Sequence, residues 1–350
     1  MPKPNQMALG RQLNSMKRTE FPWMLEVTKC APQLAIMQLG QAFQNFFAKR
    51  AKYPVFRKKG VHDRFSISND QFTIKEKTIQ IPKLGWARMS EPLRFQGKIM
   101  SATVSRIADK WFVSITVEVP ELSLPKAENQ GAAGIDLGIH SLATLSTGET
   151  IRGPKPHKAL LNRLERLSKS LSRKQKGSKN RGKARQRLSR LHARIANIRS
   201  DALHQLTTNL TRRFHAIGIE DLNVRGMQKN KRLSRSIADM GFFEFRRQLE
   251  YKAEWRGGKI VVADRFFASS KTCSKCGHKL DELPLSIRKW QCPSCNTEHD
   301  RDINAAVNLR NLAVSSTVTA CGEGSAGSGR KAGAKLPSVK QETNSRFNQK

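Results

Sequence analysis

The feature that most constrains the fold is a group of four cysteines arranged in two close pairs. Cys273 and Cys276 form the first pair, and Cys292 and Cys295, fifteen residues further on, form the second. This spacing is typical of two knuckles that close a tetrahedral thiolate shell around zinc. Because protein fills all four positions, we expect one structural zinc ion, which the short segment between the pairs needs in order to fold.

Charge is the second constraint. The 350 residues include 64 lysines and arginines against 28 aspartates and glutamates, a formal net charge of +36. Repulsion of this size opposes compaction unless a polyanion neutralises it, and nucleic acid is the usual polyanion. The charge is concentrated at 151–200, where 17 basic residues accompany a single acid, Glu165. The sequence therefore predicts a nucleic-acid-binding protein, with a solvated basic surface as the alternative.

The apolar residues are distributed in short stretches. No run approaches the roughly 18 residues that a membrane-spanning helix needs, and the N-terminal part lacks the continuous apolar segment of a secretory leader. We therefore expect no membrane partner and a cytoplasmic location.

Periodicity and composition predict an α+β chain with five segments. Alternating apolar residues at 64–119 indicate a small antiparallel barrel or sandwich within the first segment. The first, 1–125, contains helices and barrel-like strands, and the second, 126–268, is an α/β domain. A cysteine-bearing segment at 269–298 and a helix at 299–314 follow, and the composition of the tail at 315–350 predicts disorder.

A helical hairpin is predicted at 157–213, inserted in the α/β domain. Its apolar residues recur at spacings of three and four, which is typical of a helix–helix seam. The basic outer face would follow a nucleic-acid backbone, unless the hairpin is a solvated pair with no partner. The residues predicted to contact nucleic acid, in a chain break near 57 and in the hairpin, are Arg57, Lys58, Lys59, Arg173, Lys174, Lys176, Lys179, Arg181, Lys183, Arg185 and Arg187.

Three acidic residues stand where burial is expected. Asp136 lies inside the apolar segment GIDLG, Glu220 ends a similar segment, and Asp302 opens a helix rich in small residues. Buried carboxylates are costly unless they are paired or bind metal. Carboxylates from two strand ends and one helix suit two divalent ions about 4 Å apart across a scissile phosphate, and magnesium prefers such oxygen ligands.

Each of these acids has a structural alternative, because any one of them could pair with an abundant arginine. Neighbouring acids also compete for the role. Alternation along the strand sends Asp221 to the face opposite Glu220. Asp300 projects from a different side of the helix than Asp302. Asp264, at the end of the next strand, is a further candidate, since sequence order alone does not decide among them.

Together these motifs resemble the TnpB (OrfB) family of bacterial insertion sequences, relatives of the compact type V CRISPR effectors. The resemblance rests on GIDLGIHSLATLSTGE, IGIEDLNVRGM, SSKTCSKCG and WQCPSCNTEHDRDINAAVNL and covers nearly the whole chain. It implies an RNase H-like (RuvC) nuclease domain in which Asp136, Glu220 and Asp302 are catalytic and hold two magnesium ions. It also implies that the four cysteines form an inserted zinc ribbon.

The resemblance further implies an RNA-guided DNA endonuclease, with a transposon-derived guide RNA and double-stranded target DNA as partners. Pairing between guide and target would supply sequence specificity, and the protein would read a short motif beside the target. Family members carry a longer segment before the stretch EFPW, which begins here at Glu20. We therefore expect the N-terminal recognition region to be incomplete.

Two other functions are compatible with these residues. The first is a non-cleaving RNA-guided DNA-binding regulator, or a truncated inactive copy, which would keep the basic charge. Loss of one of the three acids would favour it, but all three acids are present. A self-sufficient RNase H-like transposase would also use three acids, which therefore do not distinguish it. The cysteine insertion and the lack of an obvious helix-turn-helix favour the guided nuclease.

Overall fold

The computed structural model describes residues 6–56, 60, 63–119, 125–127 and 129–322. The chain divides into two compact units, with the division between 122 and 123. None of the described helices combines the length and the apolar character needed to span a bilayer. The mixture of helices and sheets confirms the predicted α+β class.

The N-terminal unit, over its described residues, consists of two α-helices followed by six strands. Helix α2 packs against the first strand, and Cys30 at its start is buried in the same core. The elements are α1 (Gln6–Met16), α2 (Cys30–Phe47), β1 (Arg64–Ser68), β2 (Thr73–Lys75), β3 (Thr78–Ile81), β4 (Gly85–Arg88), β5 (Lys98–Ile107) and β6 (Lys110–Glu118).

These six strands form two antiparallel sheets, ordered β1-β5-β6 and β2-β3-β4. Alternation places Ile67, Ile79 and Ala102 in one shared core, as the period of two predicts. Among the described strands, hydrogen bonds do not join the two sheets into a closed barrel. The second sheet is too short for closure, because its strands contain only three or four residues and pair only with one another.

The second unit is built on a five-stranded mixed sheet with the spatial order β11-β10-β7-β8-β9. Strands β7, β10 and β11 are parallel, whereas β8 runs antiparallel to both of its neighbours. The carboxyl ends of β7 and β10 therefore meet at one edge of the sheet. The five strands are β7 (Asn129–Asp136), β8 (Ala143–Leu145), β9 (Thr150–Ile151), β10 (Phe214–Glu220) and β11 (Lys259–Ala263).

Helices and one short β-hairpin complete the described part of this unit. The long helix α5 packs against α4 and α8 and, with α4, forms the helical hairpin predicted at 157–213. The elements are α3 (Pro156–Ala159), α4 (Leu161–Ser172), α5 (Lys179–Arg213), α6 (Val224–Met227), α7 (Ser234–Met240), α8 (Phe242–Trp255), β12 (Lys289–Gln291), β13 (Glu298–Asp300) and α9 (Arg301–Gly322).

Helix α9 lies directly on the sheet because the strands beneath it carry glycine. A Cβ on Gly134 of β7 would lie 1.8 Å from the carbonyl oxygen of Ala306, so no larger residue fits there. Ala305 and Ala306 are fully buried at this contact, as their small size leads one to expect. The close approach brings the first turn of α9 to the edge where β7 and β10 end.

The end of α9 differs from the sequence prediction. The sequence predicts the helix at 299–314 with a disordered tail from 315, but the helix spans Arg301–Gly322. Residues 314–321 contain no glycine or proline, so nothing interrupts the helix before Gly322. The hydroxyls of Ser315 and Ser316 also donate to the carbonyl of Leu312. The remainder of the predicted tail, 323–350, lies outside the described residues.

Candidate active site and zinc-ligating cluster

Two of the predicted acids end neighbouring parallel strands. Ile135 of β7 pairs with Ile219 of β10, so the residues that follow, Asp136 and Glu220, end the two strands at the same level. Burial, with the negative charges of Glu220 and Asp302, raises the pKa of Asp136 to about 8. The three carboxyl groups therefore lie near enough for the charges of two of them to act on the third. The structure therefore brings the three predicted acids together.

Asp302 reaches this site from the first turn of α9. Its two carboxylate oxygens accept hydrogen bonds from Nη1 of Arg288, at 3.0 and 3.3 Å. Asp300, the neighbouring candidate, binds backbone groups at the start of α9 instead. Its Oδ1 accepts hydrogen bonds from the backbone N–H groups of Asp302 and Ile303 at 3.0 and 3.1 Å. Asp300 thus caps the helix, where a carboxylate satisfies otherwise unpaired donors.

The other two alternatives are occupied elsewhere. Asp221 forms ion pairs with Arg265, at 2.7 Å, and with Arg246, at 2.8 Å. Hydrogen bonds from these two guanidinium groups lower its pKa below the ordinary value. Asp264 is exposed, and its Oδ1 accepts the backbone N–H of Phe266 at 2.9 Å within a turn. Both carboxylates therefore have structural partners away from the three-acid cluster.

The three-acid cluster has the donor chemistry of a magnesium site. Carboxylate oxygens that repel one another in an empty site lose that repulsion when a hard divalent cation lies between them. Burial is the largest cause of the raised pKa of Asp136, and repulsion by the other two carboxylates adds to it. Asp136, Glu220 and Asp302 would be the ligands, and the residues present fit the ion.

Ser269 is a residue of this site that sequence reasoning missed. Its hydroxyl donates a hydrogen bond to Oε1 of Glu220, and its side chain is buried. It stands in the loop after β11, four residues before the first cysteine. The only sequence signal is the small polar pair Ser269-Ser270 beside the cysteine motif, which does not point to a carboxylate.

The four predicted zinc ligands converge as their spacing predicts. Their Sγ atoms all lie within 4.8 Å of one another. The Sγ atoms of Cys273 and Cys295 are 3.6 Å apart, as are those of Cys276 and Cys292. Four sulfurs bound to zinc at about 2.3 Å stand about 3.8 Å from each other, so the cluster already has the dimensions of a tetrahedral zinc site.

Turn geometry and hydrogen bonds prepare the cysteines for metal. Gly277 adopts a positive φ of 78°, which closes the first knuckle as its N–H donates to the carbonyl of Cys273. Hydrogen bonding with Thr297 lowers the pKa of the Cys295 thiol to about 6, so Cys295 favours the thiolate, which is the form that binds zinc. A hydrogen bond from the backbone of His278 lowers the pKa of Cys276, but burial and the neighbouring cysteines outweigh it and raise that pKa to about 11.

The basic hairpin residues divide into two groups. Arg173, Lys176, Lys179, Lys183, Arg185 and Arg187 are exposed, as a nucleic-acid-binding surface requires. Lys174 and Arg181 are half-buried. Nη1 of Arg181 donates to the carbonyls of Leu171 and Lys174, at 3.0 and 2.7 Å, and so closes the turn between α4 and α5. The predicted contacts Arg57, Lys58 and Lys59 lie outside the described residues.

Comparison with known proteins is consistent with this geometry. A probable-transposase family model, OrfB_IS605, matches 112–231, and the Cas12f1-like TNB domain matches 242–309. A relative from Streptomyces pristinaespiralis bears the name "Putative RNA-guided DNA endonuclease"; it is 42% identical over 94% of this chain and 82% of its own length. A relative of the same name, with the suffix InsQ, from Escherichia coli K12 is 37% identical over 87% of this chain and 79% of its own.

The fold is also similar to a solved structure. The Cas12f1 chain in the cryo-EM structure of its complex with sgRNA and target DNA aligns with a TM-score of 0.54 at 16% identity. The alignment covers 88% of this chain and 76% of that one. The shared fold agrees with the sequence matches, and the high identity to the Streptomyces relative extends over most of both proteins. The chain therefore belongs to the TnpB/OrfB family of insertion-sequence proteins.

Proposed function

We propose that this protein is an RNA-guided DNA endonuclease that hydrolyses phosphodiester bonds at the cluster of Asp136, Glu220 and Asp302. The observation that supports the proposal is the position of Asp136 and Glu220 at the ends of neighbouring strands, together with the effect of Glu220 and Asp302, after burial, in raising the pKa of Asp136 to about 8. The names of the two bacterial relatives supply the RNA-guided part.

The proposed nuclease domain has an RNase H-like (RuvC) fold. Three observations support this assignment: the spatial order β11-β10-β7-β8-β9, the single strand β8 that runs against its neighbours, and the acids at the ends of β7 and β10. The helical hairpin interrupts the domain between β9 and β10. The cysteine-bearing segment 269–298 interrupts it again, before α9 returns to the sheet with Asp302.

Two magnesium ions are the cofactors that we propose for the carboxylate cluster. When bound, such ions supply Lewis acidity at the phosphate and neutralise its developing charge. The protein itself sets the protonation and the orientation of the three carboxylates. Asp136 gives up the proton that its raised pKa retains, Ser269 holds one oxygen of Glu220, and Arg288 restrains the carboxylate of Asp302.

Zinc has a structural role in this proposal. Cys273, Cys276, Cys292 and Cys295 would hold one ion and leave no ligand position for water or substrate. The cluster forms a zinc ribbon between β11 and α9. Its second knuckle continues into β13, whose last residue caps the helix that carries Asp302.

The proposed macromolecular partners are a transposon-derived guide RNA and double-stranded target DNA. A net charge of +36 and the exposed lysines and arginines of the hairpin support phosphate binding along a duplex. Base pairing between guide and target would then provide the specificity that backbone contacts lack. The non-cleaving regulator gains no support, because all three acids are present in the sequence. The self-sufficient transposase gains none from the two relatives, whose names are those of RNA-guided DNA endonucleases.

The decisive experiment reconstitutes cleavage. The full chain is co-expressed with RNA transcribed from the flanking end of its mobile element, the bound RNA is sequenced, and cleavage of a matched plasmid is followed in magnesium. Asp136→Ala, Glu220→Ala and Asp302→Ala should each abolish cleavage while retaining RNA binding. Asp264→Ala, which removes an exposed turn carboxylate, is the control and should cleave normally. Cleavage by Asp302→Ala at the wild-type rate would refute the assignment.

A further inference from the structure

We infer that Ser269 is a positioning residue for Glu220, and that Asn304 and Asn308 of α9 hold Ser269 in place. The loop that enters the zinc cluster would thereby orient a carboxylate of the nuclease centre. This inference rests on the proposed function, because positioning has meaning only if Glu220 binds a catalytic ion. Each step is a direct contact in the structure.

The first step is the contact between the loop and the acid. Ser269 is only 4% exposed, and its hydroxyl donates to Oε1 of Glu220. A carboxylate at a strand end can otherwise rotate about its side-chain bonds. A hydrogen bond from a buried donor selects one orientation and leaves Oε2 available to a metal. Groups that orient metal ligands in this way are required for full affinity in metal sites generally.

The second step is the fixation of the loop by α9. Asn304 and Asn308 are 2% and 7% exposed, and their side chains project into the loop at 269–274. Nδ2 of Asn308 donates to the carbonyls of Ser269, at 2.7 Å, and Thr272, at 2.6 Å. The backbone of Ser269 is therefore held by the same helix that presents Asp302.

The second asparagine completes the clamp on the side of the zinc cluster. Nδ2 of Asn304 donates to the carbonyl of Thr272 at 2.8 Å, and its Oδ1 accepts the backbone N–H of Ser274 at 3.0 Å. These two residues flank Cys273, a zinc ligand. The amide of Asn304 supplies both a donor and an acceptor here, whereas an ionised aspartate has no donor and cannot replace it.

The contacts form one connected path between two metal sites. Zinc would fix Cys273, the asparagines fix the loop around it, and Ser269 transmits that placement to Glu220. Asp302 lies two residues before Asn304 on the same helix. The relative placement of the two carboxylates thus depends on a single hydrogen-bonded unit. A purely structural clamp would affect stability without changing the affinity for a catalytic ion.

The test measures ion binding directly. Manganese, a spectroscopic substitute for magnesium, is titrated into the full-length zinc-loaded protein and followed by electron paramagnetic resonance. Ser269→Ala should weaken manganese binding by roughly tenfold or more, the usual effect of removing a group that orients a ligand. Ser270→Ala is the matched control, since in the described part of the chain no hydrogen bond joins the Ser270 hydroxyl to Glu220. Zinc content should stay at one ion per chain in both.

A second variant tests the clamp. Asn308→Asp keeps the size of the side chain but removes both donated hydrogen bonds, and it should also weaken manganese binding. Equal manganese affinity in Ser269→Ala and Ser270→Ala would overturn the inference, whether or not Asn308→Asp folds. Asp136→Ala separates this result from failure of the proposed function. If that variant binds manganese as tightly as the wild type, the nuclease assignment itself fails, and the inference fails with it.

Discussion

Gly218 of β10 and Leu309 of α9 approach each other so closely that the strand residue cannot carry a side chain. A Cβ on Gly218 would lie 2.1 Å from the carbonyl oxygen of Leu309. Since real Cβ atoms do not approach backbone oxygens to this distance, either the helix or the strand would have to move. The contact sets the depth at which α9 rests on the sheet, and with it the reach of Asp302 toward the strand ends.

We predict that Gly218→Ala destabilises the protein by about 1–3 kcal/mol, the usual cost of overpacking. The control is Gly182→Ala in α5, where an added Cβ meets no atom within 4 Å. Because alanine favours helix, the control should gain about 0.5–1 kcal/mol. Urea unfolding of both variants measures the difference. Equal stability of the two would mean that α9 does not rest on Gly218.

The second prediction concerns the zinc ribbon. Cys273→Ser and Cys292→Ser should each lower the zinc content from one ion per chain toward zero and reduce the thermal midpoint, because the metal holds 273–295 folded. Cys30→Ser removes a cysteine that is buried in the other unit and should keep the zinc. Elemental analysis of protein purified without chelator decides the matter, and a zinc-free wild-type protein would contradict the assignment.

The third prediction follows from the protonation of Asp136. Burial, then the charges of Glu220 and Asp302, raises its pKa from 3.8 to about 8 in the folded protein. Between these values the folded state keeps a proton that the unfolded chain has released. Stability should therefore fall as pH rises from about 4 to about 8, by at most about 1.4 kcal/mol per pH unit from this group.

Asp136→Asn isolates that effect, because its side chain does not titrate. In magnesium-free buffer, the free energy of unfolding of the variant should rise relative to the wild type as pH increases from about 5 to about 8. Urea unfolding at each pH measures it. A constant difference between the two proteins across this window would mean that Asp136 titrates normally.

The fourth prediction concerns the basic surface of the hairpin. Replacement of Lys179, Lys183, Arg185 and Arg187 by glutamine should reduce the slope of log K against log salt, by up to about 0.9 for each duplex-DNA phosphate that the variant no longer neutralises. These four side chains are exposed, so stability should change little. Fluorescence anisotropy at several salt concentrations provides the slope. If the slope is unchanged, the hairpin does not bind the nucleic-acid backbone.

The fifth prediction separates Arg181 from its basic neighbours. Its guanidinium closes the α4–α5 turn through two carbonyls, so Arg181→Gln should cost about 1 kcal/mol of stability. Arg185→Gln changes an exposed residue on the same helix and should leave the thermal midpoint within error. Thermal unfolding of the two variants measures this contrast, which would vanish if Arg181 served only to bind nucleic acid.

Much of the site could be predicted from residue type and spacing. The cysteines were identifiable because thiolate pairs at this spacing have few other uses. Asp136 was identifiable because a carboxylate inside GIDLG conflicts with burial. Strand alternation and helix position argue against Asp221 and Asp300, but no sequence pattern argues against Asp264. The partners of all three are arginines and backbone groups whose positions only the fold determines.

Other features were beyond sequence reasoning for a different reason. Ser269, Asn304 and Asn308 acquire their roles from one another, and nothing in a helix such as DINAAVNL shows which loop its asparagines will meet. Arg181 was hidden by its surroundings, because one structural arginine in a basic run looks like the rest. The alternation at 64–119 predicted antiparallel strands, but the division into two sheets depends on strand length and pairing.

The position of α9 has a consequence during protein synthesis. Ribosomes add about 5–20 residues per second, so Asp302 is made on the order of ten seconds or more after Asp136. Until α9 has emerged and settled onto Gly134 and Gly218, a nascent chain presents only two of the three carboxylates. The proposed nuclease centre is therefore incomplete while the chain is being made, because α9 delivers its third acid.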